Sequence, residues 1–232
     1  MTGSLVMDSC PRFPPPSYLI GEIDTLDLPP LLHITLYRWD FTFPRLTDIS
    51  TALSSLAKLA SYVNKSASNP LIWKDEMFVA HRIYPVAHEI LSLTRYTIPA
   101  EQKSSTQGIV LREVIRLSLL LVTGIMKREC GVYPDGIVQN SGRVSKLLKM
   151  YPMDWSAFME LRLWALVILA LVEENDERAW CLTEIAWTMK ELNLYLWYQA
   201  LEVLKGIIWV EEGMTSRSES LRQEIELFLS SS

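Results

Sequence analysis

Few residues in this sequence have types and spacing suited to chemistry. His81 and His88 lie two helical turns apart, with Tyr84 between them. A metal site on a helix needs ligands one turn apart or converging from another element, and Glu89 falls off the histidine face. The densest acids are Glu173-Glu174 and Asp176-Glu177. Paired carboxylates can do general acid–base work. These four fall where one helix ends and the next begins, and solvated charge is the ordinary outcome there. Asp176 and Glu177 favour the dipole of the helix they start, while Glu173 and Glu174 oppose that of the helix they end. Arg178 is close enough in sequence to reach back to them. Cys10, Cys130 and Cys181 are far apart and form no Cys-x-x-Cys pair, which speaks against a disulfide framework or a zinc site. A reducing intracellular compartment fits them, and Cys181 reads as a small core residue. Gly131 and Gly136 have phosphate-loop spacing but lack the Lys-Ser/Thr that must follow. No catalytic, cofactor-binding or metal-binding residue is assigned, and no cofactor is expected.

The elements that would position any site are helical. Of the 232 residues, 49% are hydrophobic and 21% charged, a globular balance that can bury a full core. The net charge of −5 comes with no run of basic residues, which argues against a free-standing DNA reader. Residues 1–46 are expected as an extended N-terminal arm, because Pro11, Pro14, Pro15, Pro16, Pro29 and Pro30 oppose a helix. Within it, His33–Phe43 reads as a short helix or an extended segment packed on the bundle. Residues 47–232 are expected to form one all-α domain, a single irregular bundle of about seven to nine helices.

Thr47–Val63 is amphipathic, with Thr47 or Asp48 as its cap. The next helix starts at Pro70 with Asn69 as its cap, runs to about Leu93 and is kinked or split by Pro85. Its expected inner face is Met77, Ala80, Tyr84, Ala87 and Leu91. Ile109–Lys127 is apolar over most of its circumference and belongs at the centre; Arg112, Glu113 and Arg116 can pair locally near its start. Thr97–Gly108 and Glu129–Gly142 read as loops, and a short helix follows from Arg143 to Met150. A buried helix, capped by Asp154 or Ser156, runs to about Glu174 and is interrupted only by Arg162. Glu177–Leu192 follows, with Trp180 and Trp187 on its flank and Asn193 in the left-handed end position. Trp197–Val210 contains Gly206, which implies close helix packing. Glu219–Leu229 closes the chain, with Leu221, Ile225 and Phe228 inward. Trp164, Ile168, Leu182, Ile185, Leu204 and Ile208 are the expected core. The longest uncharged apolar run, Leu163–Val172, is too short to span a bilayer, which takes about 20 residues.

One stretch carries a family resemblance. Leu163-Trp164-Ala165-Leu166-Val167, Glu177-Arg178-Ala179-Trp180 and the Trp197–Trp209 segment (WYQALEVLKGIIW) occur in that order. They resemble the C-terminal part of the regulatory region in fungal transcription factors of the binuclear zinc-cluster type, and Leu111–Met126 is similar to that family's long apolar helix. The likeness covers residues 105–230. It implies transcription regulation in the nucleus, protein partners that include a full-length family member, or a small effector, and a link to secondary metabolism. The family's compact six-cysteine zinc module is not among the residues given, so no direct DNA binding is expected of them. A small helical enzyme and a protein scaffold are the alternatives. Membrane-surface binding is disfavoured, because the polar faces of the helices are not basic.

Overall fold

Apolar residues recurring at helical spacing build the chain, and the computed structural model describes residues 8–11, 26–66, 70–98, 104–132, 136–173 and 175–230. Among these residues there are nine helices, besides shorter turns, and no strands. They are α1 (Pro30–Thr42), α2 (Asp48–Lys65), α3 (Tyr84–Ser92), α4 (Ser104–Glu129), α5 (Ile137–Met150), α6 (Met159–Ala170), α7 (Asn175–Glu191), α8 (Trp197–Lys205) and α9 (Ser216–Ser230). The expected all-α class is the one adopted. No described helix is long and apolar enough to cross a membrane.

α4 is the hub. Leu111, Val114, Leu117, Leu119, Leu120 and Thr123 are buried and spread round its whole circumference, and α2, α3, α5 and α6 all pack on it. α6 is buried without a break from Leu163 to Ala170 and packs on α4, α7 and α8. Trp164, fully buried in α6, donates its indole N–H to the Ile208 carbonyl at 2.8 Å. That bond ties the centre of the bundle to the chain beyond α8.

Of the extended arm expected to residue 46, residues 1–7 and 12–25 lie outside the described residues, and Pro30–Thr42 is helical. Pro30 opens α1, where a missing N–H costs nothing and a fixed φ suits the first turn. Leu32 and Trp39 of α1 are fully buried. Trp39 packs its ring 4.8 Å from Phe43 and 5.2 Å from Phe158 (centroid distances) and donates to the Leu46 carbonyl at 2.9 Å. Thr47 occupies the cap position of α2 without a side-chain bond, and Asp48 is turned to Arg112 instead.

The segment before α3 is divided further than one kink would require. A 3-10 turn (Pro70–Lys74), one α turn (Glu76–Phe78) and a π turn (Val79–Ile83) precede α3. The π turn ends just before Pro85, which has no N–H to return to the preceding turn. Its extra residue rotates the register. Phe78, Val79 and Ile83 are therefore buried, while Met77 is 56% exposed and Ala80 and Tyr84 are only half-buried. The expected cap, Asn69, lies outside the described residues.

Helix boundaries moved elsewhere as well. α4 and α5 start inside stretches expected as loops, and Gly136 at φ +82° makes the left-handed entry to α5. α6 starts at Met159, because Asp154 instead accepts from the Ser156 N–H at 2.9 Å and closes a local turn. α8 stops at Lys205 rather than Val210. Ile207, Ile208, Trp209 and Val210 are all buried beyond its end. The unwound chain is held by Asn64, whose Nδ2 donates to the Trp209 carbonyl at 2.8 Å and whose Oδ1 accepts from the Glu211 N–H at 3.0 Å. A Cβ on Gly206 would lie 2.9 Å from Leu31, so close packing does explain that glycine. Asn193 has φ +56°, the expected left-handed end. Five of the six expected core residues are buried, but Leu182 is half-buried, and Phe228 is 40% exposed.

Candidate functional site

A cleft of about 500 Å³ opens where the end of α5 and the loop that follows it meet α6 and α7. Arg162, the one charge in the apolar run of α6, lies in its wall. The Arg162 side chain is 13% exposed. Nη1 donates to Thr188 Oγ1 at 2.8 Å, Nη2 bonds to the Glu184 carboxylate, and the guanidinium carbon stands 4.4 Å from the Trp187 ring centroid. Its buried Nε has no hydrogen-bond partner among the described residues. Burial pushes the Arg162 pKa down, with Glu184 and Glu191 opposing. The rest of the wall mixes aromatic and thioether side chains, among them Tyr151, Met153, Trp155 and Trp180, with the polar Asp154 and Glu191. Such a wall accepts a flat body, and a guanidinium oriented by Thr188 and Glu184 sets a fixed positive charge beside it.

Two of the four acids singled out in the sequence lie in a neighbouring cleft of about 490 Å³, where Lys149 stands over the Trp180 ring. Glu173 and Glu177 line it. Glu177 accepts from Lys149 Nζ at 2.7 and 2.8 Å and from the Ser145 hydroxyl. Hydrogen bonds from Lys149 and Ser145 hold its carboxyl below the usual carboxylate range. A carboxylate so paired is a poor proton acceptor near neutral pH. Asp176 is exposed, and Glu174 lies outside the described residues. Arg178 does reach back, but to the Ala170 carbonyl at 2.7 Å, satisfying the end of α6, while its other arm pairs with Glu224 at 2.8 Å.

His81 and His88 are half-buried and line neither cleft. No group of three or more His, Cys, Asp and Glu placed to hold a metal occurs among the described residues. Burial pushes the Cys181 thiol up to about 12 and the Cys130 thiol up to about 11, so neither is an activated nucleophile. Cys10 is exposed.

One cluster has no counterpart in the sequence reading. Asp8 meets Arg116, Arg143 and Arg95 from three separate parts of the chain. Burial pushes its carboxyl up, but hydrogen bonds and charge from Arg116 and then Arg143 outweigh this and hold it at about 2. Of the expected local pairs on α4, Glu113–Arg116 forms at 2.8 Å, whereas Arg112 reaches across to Asp48. The cleft was partly legible, since Arg162 stands out as a lone charge with Trp180 and Trp187 on a nearby flank. Asp8 gave no signal, because it lies in a segment without periodicity.

Comparison with protein-family models, with curated proteins and with solved structures found no match for this chain.

Proposed function

We propose that this chain is a regulatory interaction domain of the transcription-factor type. It acts through protein partners or a small effector and does not itself read DNA. The observation that carries the reading is the Arg162 cleft. It has aromatic and thioether walls and one oriented cation, and its three carboxylates are Asp154, Glu184 and Glu191. That chemistry suits holding a ligand better than transforming one, since Glu184 is paired to Arg162 and hydrogen bonds from Ser156 hold the Asp154 carboxyl below the usual carboxylate range, which makes both poor general bases. The family resemblance in the sequence supports the same reading, because its Leu-Trp and Glu-Arg-x-Trp motifs fall on α6 and α7, which wall the cleft. Nuclear location and a link to secondary metabolism follow from that resemblance and belong to the proposal.

The test has two arms. The full chain is fused to an unrelated DNA-binding module above a reporter, beside an Arg162→Met variant. Separately, the purified chain is titrated into labelled promoter DNA at about 150 mM salt, where non-specific binding is weak. Reporter output that the fusion changes, and that Arg162→Met alters, is the expected result. Sequence-selective DNA binding by the chain alone, or a fusion that leaves the reporter unmoved, would overturn the proposal.

A further inference from the structure

The Asp8 cluster is built like an occupied anion site. Arg116 is fully buried at its floor and donates two nearly parallel bonds to Asp8, Nη1 to Oδ1 at 2.8 Å and Nη2 to Oδ2 at 2.6 Å. This bidentate fork is the geometry that arginine uses for carboxylates and phosphates. Arg143, on α5, bonds to Oδ2 of Asp8. Arg95, beyond the end of α3, donates to Oδ1 at 3.2 Å and to the Asp8 backbone carbonyl at 3.0 Å. The side chains of Arg143 and Arg95 are 45% and 32% exposed, so the cradle has a floor sealed from water and a rim open to it.

Among the described residues the charges do not balance. Glu113 is the other acid among the described residues of the cluster, accepting from Arg116 at 2.8 Å and from Arg143 at 3.0 Å. Three guanidiniums against Asp8 and Glu113 leave one positive charge over, and without Asp8 two are left over. A phosphate group carries about −1.5 to −2 at neutral pH and offers three acceptor oxygens where a carboxylate offers two. Asp8 is thus a weaker match to the cradle than a dianion would be. Its backbone is also held at φ +45°, in the left-handed region that a non-glycine residue enters at a cost. Strain at the residue that fills the cradle favours its release once a better anion competes.

We propose that Arg95, Arg116 and Arg143 form an oxyanion-binding cradle, matched to a soluble phosphate or phosphomonoester, and that Asp8 is its displaceable intramolecular occupant. Binding of the anion frees the segment 8–11 from the bundle, so the site couples a phosphate signal to release of that segment. None of these residues lines the Arg162 cleft, and the inference stands independently of the function proposed for it.

The experiment titrates full-length wild type, Asp8→Ala and Asp8→Ala/Arg143→Gln with inorganic phosphate and with free phosphoserine at constant ionic strength, using calorimetry. Acetate serves as the monoanion control. Asp8→Ala should bind one phosphate at least tenfold more tightly than wild type, and the Arg143→Gln change should abolish that gain. A folded Asp8→Ala that binds phosphate no better than wild type, or no better than it binds acetate, overturns the proposal, as does a gain that survives Arg143→Gln. A second measurement keeps the proposal testable should Asp8→Ala fail to fold. Cys10 is the exposed thiol two residues from Asp8. A fluorophore attached there in wild type should lose anisotropy as phosphate is added, and should not respond in Arg143→Gln. Unchanged anisotropy in wild type up to about 10 mM phosphate, a millimolar affinity limit, would equally reject the cradle as an anion site.

Discussion

Replacing Gly124 by Ala sets two effects of known sign against each other. Gly124 lies inside α4, where Ala is favoured over Gly by about 1 kcal/mol. The structure opposes that gain. A Cβ at position 124 would stand 2.6 Å from Cγ1 and 2.8 Å from Cδ1 of Ile137, the first residue of α5. Carbon atoms rest at about 3.5–4.0 Å, so roughly 1 Å must be found. Cδ1 could swing away, but Cγ1 sits on the stem of a side chain that is only 5% exposed. Overpacking of this kind costs about 1–3 kcal/mol. Gly124→Ala should therefore destabilise the chain by up to about 2 kcal/mol in urea unfolding read by circular dichroism, with unchanged m. The sign provides the sharper test. Ile137→Ala removes both clashing atoms, so in that background Gly124→Ala should instead stabilise by about 1 kcal/mol, a coupling of about 1–3 kcal/mol between the two sites. If Gly124→Ala stabilises the wild-type chain by the same amount as the Ile137→Ala chain, then α4 and α5 do not approach as described, and the walls that α5 lends to both clefts are misplaced.

Three further outcomes are expected. Ile168→Ala and Leu204→Ala each remove a fully buried side chain and should cost about 2–5 kcal/mol by denaturant titration, and a loss below about 1 kcal/mol at both would mean that α6 and α8 are wrongly placed. Trp164→Phe removes the pyrrole half of the indole with its N–H, which strands the Ile208 carbonyl and opens a void, and should cost at least about 1–3 kcal/mol; a loss near zero would show that the carbonyl finds another donor and the site collapses. Asp8 has a folded-state pKa lowered from 3.8 to about 2, so its contribution is present above about pH 4 and is lost as pH falls from about 4 to about 2. After allowance for solvent screening, that is about 1–2 kcal/mol. Urea midpoints of wild type and Asp8→Asn should converge towards pH 2, and curves that stay parallel would contradict the pairing.

Helical periodicity is a local property, and it alone determined the all-α class, the central place of the 109–127 segment and most of the core. Trp164, Ile168, Ile185, Leu204 and Ile208 could be named as buried because each recurs on an apolar face, and they are buried. The lone charge Arg162 was visible for the same reason, as a break in an otherwise apolar run. Tertiary structure decided whatever depended on partners distant in sequence. α8 ends early because Asn64 and Trp164 supply hydrogen bonds to an unwound, wholly buried strip at residues 207–210. The register before α3 turns on a π turn placed ahead of Pro85. The cleft exists only because Thr188, Glu184 and Trp187 of α7 converge on Arg162. The arginine cradle joins Asp8 to positions 87, 108 and 135 residues further along the chain. Charge pairs across such separations leave no mark on local pattern, because Coulomb attraction and hydrogen bonding depend on distance in space, whereas periodicity records only which face of a helix is dry.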